Sequence, residues 1–465
     1  MKIEQIYTGC LAEAAYYIES RGEVAIIDPL RETAPYIKRA EKDNAKIKYV
    51  FETHFHADFV SGHLELAQKT GAKIVYGPDA HCGFNCYSAK DGEEFKVGDL
   101  TIRVLHTPGH TPESSTFLLF DENGKENCIF TGDTLFIGDV GRPDLAIENG
   151  LTIYDLAGML YDSLHNKIMP LPDHVIVYPA HGAGSACGKN LSKETWDTLG
   201  HQKEVNYALK AQSREEFIKA VTDGLAPAPQ YFPLNAMMNK QGAKGLDEIN
   251  AQAMKALDPQ QFEAAALLAE ALILDTRAPQ TFAAGFVPGS INIGIDGQFA
   301  PWVGALITDI NQPILLVCDE GREEENIMRL ARVGYDNTLG YLSGGIVAWE
   351  QAGKPMDSVL SLTAVDFAQE HFGNEINIID IRRPGEYETA HISNVPNKPL
   401  DYINEWFNTL DREQTYYIHC AGGYRSMIAA SILKARGYDQ VIDIAGGYGA
   451  IGKTDLPKES GTMVN

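Results

Sequence analysis

The chain contains no run approaching the ~18 uninterrupted apolar residues of a membrane span. Its opening residues, MKIEQIYTGC, lack the apolar stretch of a secretory signal. Together these absences set the expectation of a cytoplasmic protein that stays out of membranes. Positive charge is scarce: 39 Lys and Arg stand against 63 Asp and Glu, a formal charge of −24. Such a surface repels nucleic acid and anionic lipid, so neither is expected as a partner. The seven cysteines, at 10, 82, 86, 128, 187, 318 and 420, are scattered and odd in number. That pattern argues against a disulfide framework and predicts free thiols in a reducing compartment. No segment is low in complexity. What remains is ordinary globular composition, 44% hydrophobic and 22% charged. At roughly 150 residues per domain, 465 residues predict about three domains.

The N-terminal part reads as short strands and turns mixed with helices. VAIIDP (24–29), IKYVFETH (47–54), AKIVYG (72–77), LTIRVLHTPGH (100–110), STFLLF (115–120), NCIFTGD (127–133) and HVIVYPAH (174–181) are strand-like. Several end in a polar cluster, and polar strand ends are where sites are commonly built. Residues 192–222 read as helical, and the Pro-, Gly- and Asn-rich stretch 225–245 reads as a linker or draping arm. The strongest local signal is THFHADF (53–59), followed by PGH at His110, TGD at Asp133 and PAH at His181. His54, His56 and Asp58 alternate, so an extended segment would point all three the same way. Imidazole and carboxylate together suit a divalent transition metal.

These motifs resemble the metallo-β-lactamase superfamily, whose signature is HxHxDH with later His, Asp and His ligands. The resemblance covers about residues 1–200 and implies an αββα sandwich with the metal at the sheet edges. The last His of the signature is Phe59 here. A phenyl ring cannot ligate, which points to one metal rather than two. His63, four residues on, would face the same way only if a helix starts there. Within the superfamily, THFHAD, TPGHTP, TGD and GRPD resemble the persulfide dioxygenases. That resemblance implies mononuclear Fe(II) held by His54, His110 and Asp133, with His56, Asp58 and His181 beside it as supporting groups. It also implies that Arg142, in GRPD, binds a substrate carboxylate; a salt bridge is the competing reading. Cys187, in HGAGSACGKN, is a candidate to face the pocket and handle sulfur. Cys82 and Cys86, in HCGFNC, lack the companions a second metal site needs.

The remainder repeats. ILDTR (273–277) recurs as IDIRR (379–383), ILLVCDEG (314–321) as YYIHCAGG (416–423), and SGG (343–345) as AGG (445–447). Repeats of this length are tandem copies of one small domain, and alternating strand and helix predict a parallel sheet covered on both faces. In the second copy Cys420 ends a strand, enters a tight loop and opens a helix. Loop amides, the helix N-terminus and Arg425 all favour thiolate and would stabilise a persulfide there. The loop and IDIRRPGEYETAHI (379–392) resemble the rhodanese family. The resemblance implies that Cys420 carries a sulfane sulfur, that Arg425 with Ala421, Gly422, Gly423, Tyr424 and Ser426 binds its anionic partner, and that Asp380 and Arg382 support the fold. The first copy carries CDEGREEEN (318–326), with Glu323 at the Arg425 position and Glu324 at the Ser426 position. Carboxylates beside a thiol raise its pKa, so this copy is expected to be inactive.

The expected organisation is a metallo-β-lactamase-like domain over 1–250 with its arm from about 225, an inactive rhodanese-like domain over 258–356 and an active one over 358–465. The architecture resembles persulfide dioxygenase–sulfurtransferase fusions. It implies oxidation of a small-molecule persulfide by O2, sulfite handed to Cys420 to give thiosulfate, and a role in sulfide detoxification. A homo-oligomer is expected because such an arm often packs across a subunit boundary. The competing readings are a glyoxalase II-type thioester hydrolase and a sulfur-relay scaffold with a dead metal domain.

Overall fold

The structure, a computed structural model, describes residues 1–146, 150–371 and 376–461. Met1–Glu248 with Ala331–Gly334 form one compact unit, and Ile249–Leu330 with Tyr335–Asn465 form another.

In the first unit, strands β1 (Lys2–Thr8), β2 (Glu13–Ser20), β3 (Glu23–Ile27), β4 (Lys46–Phe51), β5 (Lys73–Tyr76) and β6 (Tyr87–Ser88) form one sheet in sequence order. It is antiparallel through β3 and parallel from there on. A second sheet holds β7 (Glu94–Val97), β8 (Leu100–His106), β9 (Ser115–Phe120), β10 (Glu126–Gly132), β11 (Ile176–Pro179) and β12 (Asp197–Thr198), with β10 and β11 parallel. The two-residue side-chain period explains the layering. Tyr16 and Ile18 of β2 meet Val104 of β8 and Phe117 of β9 in the core between the sheets. Their neighbours Ala15 and Tyr17 face outward to Tyr36 and Leu66 on the helices Ala34–Lys42 and His63–Thr70. On the other outer face, Ile129 and Val177 pack against Leu160 and Phe217 of the helices Ile153–Ser163 and Arg214–Thr222. The result is the expected αββα sandwich.

Three local readings are corrected. The arm is not a bare linker: Phe232–Gln241 is a helix, and its proline falls in the first turn, where no N–H is lost from the ladder. The helical stretch 192–222 is two helices, Leu199–Val205 and Arg214–Thr222, separated by a loop. Cys82 and Cys86 are joined in a disulfide, so the thiols are not all free; the turn between them brings their Cα atoms to 6.4 Å.

The second unit contains the repeat. β13 (Ala256–Leu257), β14 (Leu272–Asp275), β15 (Ile291–Asn292), β16 (Ile314–Val317) and β17 (Thr338–Leu342) form a wholly parallel sheet in the order β13-β17-β16-β14-β15. β18 (Leu360–Thr363), β19 (Asn377–Asp380), β21 (Tyr416–His419) and β22 (Val441–Ala445) form another, ordered β18-β22-β21-β19. The short β20 (His391–Ile392) and β23 (Lys458–Glu459) pair apart from it. Among the described residues, no helix is long and apolar enough to cross a membrane.

Candidate metal centre and cysteine cradle

Four strand ends of the first unit deliver polar residues to one place. β3 runs into Asp28, β4 into Glu52–Asp58, β10 into Asp133 and β11 into His181. Asp133 is the hub. Its Oδ2 lies 3.3 Å from His110 Nε2 and 3.8 Å from His54 Nε2, and its Oδ1 lies 3.5 Å from His181 Nε2. All four side chains are buried. Among the described residues, neither Asp133 oxygen has a hydrogen-bond partner. A buried carboxylate without donors is costly unless a cation balances it.

The imidazoles are set to serve such a cation. His110 Nδ1–H donates to the Arg142 carbonyl at 2.9 Å, and His181 Nδ1–H to the Ala12 carbonyl at 3.2 Å. The Thr53 hydroxyl donates its one proton to Asp28 Oδ2 at 2.8 Å, so at 3.0 Å it accepts from His54 Nδ1–H. Each ring therefore turns a bare Nε2 lone pair toward Asp133. Burial, then the neighbouring His56, His110 and His181, hold His54 well below its ordinary pKa and so neutral. Neutral imidazole is the ligating form. His54, His110 and Asp133 offer atoms all within 4.8 Å of one another. The donor set fits a divalent metal.

His56 does something else. Its Nε2 sits 3.1 Å from Asp28 Oδ1 and 3.5 Å from Glu52 Oε2. Burial opposes its charge, but Asp28, Glu52 and Asp58 outweigh that and raise it to about 9, making it an imidazolium between two acids. The segment bends instead of extending, and His56 turns to its acids. Phe55 N–H donates to Glu113 at 3.0 Å. Asn239, from the arm helix, donates to the His56 and Phe59 carbonyls, both at 2.7 Å, and accepts from Ser61 N–H at 2.8 Å. Asp58 and His181 lie 3.4 Å apart on the Oδ1 side of Asp133. His56, Asp58 and His181 also offer atoms within 4.8 Å of one another, although His56 is committed to its acids. His63 opens its helix but faces Glu52 at 3.3 Å and stacks on Phe84, away from Asp133.

Cys187 faces the pocket, within 4.8 Å of donor atoms of Asp133 and His181. Burial, then Asp58 and Asp133, push its thiol well up, so it is protonated. Of the two readings of Arg142, the structure shows the ion pair. Its guanidinium is buried and spoken for, paired twice at 2.6 Å with Asp144 and donating to the Ala186 and Ala226 carbonyls. Its contribution to the centre is the backbone carbonyl that orients His110. Asp28, Glu52, Glu113 and Asn239 were missed in the sequence. Only the polar strand ends DP and ET flagged the first two.

In the second unit, Cys420 is buried at the end of β21, and Gly423, at φ +97°, turns its N–H onto Sγ at 3.1 Å. Ser426 Oγ lies 3.6 Å from the sulfur. The Ala421 carbonyl accepts from Gly449 N–H, Gly422 is exposed, and the Tyr424 hydroxyl turns to the Gly294 carbonyl. Arg425 is not a free cation: both terminal nitrogens bind Glu386 at 2.7 Å. That pairing, through the Arg425 hydrogen bond first, lowers the Glu386 pKa. Cys318, in the first copy, is raised to about 12 by burial, then by Glu323, Asp275 and Asp319.

Residues 8–181 match the model of the metallo-beta-lactamase superfamily, and 258–352 and 363–454 each match that of the rhodanese-like domain. "Persulfide dioxygenase ETHE1, mitochondrial" of Mus musculus is 31% identical over 233 residues, 48% of this chain and 79% of that one. "Hydroxyacylglutathione hydrolase cytoplasmic" of Arabidopsis thaliana is 33% identical over 186 residues, 39% of this chain and 67% of that one. A crystal structure of a metallo-beta-lactamase from Staphylococcus aureus subsp. aureus COL superposes with a TM-score of 0.64 at 31% identity, over 74% of this chain and 98% of that one.

Proposed function

We propose that this chain, which belongs to the metallo-beta-lactamase superfamily and carries two rhodanese-like domains behind that module, is an iron-dependent persulfide dioxygenase coupled to a sulfurtransferase. The domain limits we assign are 1–250, 258–356 and 358–465. The observation that carries the reading is the three-donor side of Asp133. His54, His110 and Oδ2 converge there, while His56 is held by Asp28 and Glu52 and Phe59 supplies no ligand. Two histidines and one carboxylate are the donor set of non-haem Fe(II) oxygenases. Fe(II) held there would supply the electrons that activate O2 and keep positions open for O2 and a persulfide sulfur.

The residues of the chain do the rest. Thr53 and the Arg142 carbonyl fix the tautomers of His54 and His110. Phe59 and Phe136, both fully buried, keep water from the donors. Cys187 presents a neutral thiol where a sulfur substrate arrives. Overall, RSSH + O2 + H2O gives RSH, sulfite and two protons. Sulfite then attacks the outer sulfur of a persulfide on Cys420, the S–S bond breaks, and thiosulfate leaves with Cys420 as thiolate. The Gly423 N–H is placed to stabilise that thiolate, and the tether raises the effective concentration of sulfite near its acceptor.

A second reading is a glyoxalase II-type metal-dependent thioester hydrolase. It draws on Asp58 and His181 at the other side of Asp133 and on the hydroxyacylglutathione hydrolase relative. The test is O2 consumption by Fe(II)-loaded protein with glutathione persulfide, beside cleavage of a hydroxyacylglutathione. Oxygen uptake with sulfite or thiosulfate formed is the expected result. Thioester cleavage without uptake overturns it.

A further inference from the structure

The helix that follows Cys420, Tyr424–Ala435, is buried without a break from Ser426 to Leu433. A helix buried on every side needs two covering surfaces. Its own sheet supplies one. The first rhodanese-like copy supplies the other: Asn292 N–H donates to Ser431 Oγ at 2.8 Å, and Lys434 pairs at 2.9 Å with Asp357, in the connecting segment bridged to Phe286 of that copy. The contact reaches the cradle itself at Tyr424, whose hydroxyl donates to the Gly294 carbonyl at 2.7 Å. Its ring packs against residue 297, a seat where glycine leaves room for it. A Cβ there would collide with the ring and lie 2.8 Å from the hydroxyl oxygen.

The seat is held from behind by the idle copy's own cysteine loop. Arg322, at the position repeat-equivalent to Tyr424, grips Asp296 with both terminal nitrogens at 2.8 and 3.0 Å, and also binds Glu325. Arg329 donates to the Ile295 carbonyl at 2.6 Å. Residues 294–297 are therefore clamped between Arg322 and Arg329 on one side and Tyr424 on the other.

We propose that the first rhodanese-like copy is a positioning clamp for the Cys420 cradle, acting through Gly294 and Gly297 on Tyr424. Tyr424 follows Gly423, whose N–H is the donor on Sγ. A Tyr424 ring displaced together with its backbone moves that donor. Glu325 and Asp296 hold Arg322 and so the seat. The proposal rests on Cys420 being the sulfur carrier only for its kinetic readout.

The test uses the full chain, with Gly297→Ala as the main variant, Tyr424→Phe as the second and Cys318→Ser as the control. Two quantities are read: the KM for thiosulfate in sulfur transfer to cyanide, and the pH profile of Cys420 alkylation by iodoacetamide, located by peptide mass. A displacement of the order of 1 Å can change rates by up to about 10²-fold. The expected result for Gly297→Ala is a rise of about tenfold in KM and an alkylation profile moved to higher pH, with the same direction and a smaller size in Tyr424→Phe. Cys318→Ser should match wild type. If Gly297→Ala does not fold, Tyr424→Phe carries the test. Wild-type values for both readouts in a folded variant overturn the clamp. A wild-type protein without sulfur transfer overturns the functional reading instead, and the alkylation profile still decides the clamp.

Discussion

Thr53→Val exchanges a hydroxyl for a methyl group of nearly the same shape. In the native site the hydroxyl donates to Asp28 Oδ2 and accepts His54 Nδ1–H, at 2.8 and 3.0 Å, and every group involved is buried. Valine strands the Nδ1–H and removes one charge-assisted bond from Asp28, which keeps the Thr53 amide at 2.7 Å. A hydrogen bond to a charged group is worth about 1.5–3 kcal/mol. His54 has an escape: its proton can move to Nε2, which relieves the stranded donor but removes the lone pair a metal needs. The loss therefore falls on metal binding more than on folding. Loss of an outer partner of a ligating histidine costs roughly 10–100-fold in affinity, about 1.4–2.7 kcal/mol, in agreement with the hydrogen-bond figure. Chelator competition with Fe(II) or Zn(II) should show that weakening in Thr53→Val, and near-native affinity in Thr53→Ser, which keeps the hydroxyl. Equal affinity in all three proteins would refute the tautomer lock.

Asn239→Ala strips the bent metal loop of two donors and one acceptor, so unfolding in urea should show a loss of about 3 kcal/mol or more; an unchanged midpoint would show that the bend holds itself. At Gly141 an added Cβ collides with the Asp133 carbonyl and lies 3.0 Å from His110 Nδ1. Gly141→Ala should therefore lose bound metal while keeping sulfur transfer at Cys420, and full metal content by elemental analysis would contradict the geometry.

The convergence of His54, His110, Asp133 and His181 was legible because each follows an apolar run that becomes a strand, and strand ends converge in a layered sandwich. The aim of His56 was not, because alternation assumes an extended backbone, whereas Glu113 and Asn239 bend this one through bonds no local pattern contains. Asn239 was hidden further by composition: proline and glycine read as linker, although Pro233 sits where a helix accepts it. Arg142 was read as a carboxylate binder with a salt bridge as the competing reading, and Arg425 as a cation for the thiolate. Their partners, Asp144 and Glu386, were in view within GRPD and PGEYET, but pairing is a fact of three dimensions. The Cys82–Cys86 bond escaped for the same reason.

The duplicated domain keeps its support while the surroundings of its cysteine change. Both copies keep the same support at the first strand end. Asp275 is paired by Arg277 as Asp380 is by Arg382, and Asn292 bridges the carbonyls of 275 and 277 as Asn397 does those of 380 and 382. What differs surrounds the thiol. At Cys318, raised to about 12, burial is the largest cause and Glu323 the second. At pH 8 its thiolate fraction is therefore on the order of 10⁻⁴, and iodoacetamide should label it only in denaturant. Glu323→Arg reverses the second cause and leaves the first. Its alkylation profile should move to lower pH and yet stay above the ~8.5 of an unperturbed thiol. A Cys318 that titrates like a free thiol after this single change would mean that charge, not burial, holds its pKa up.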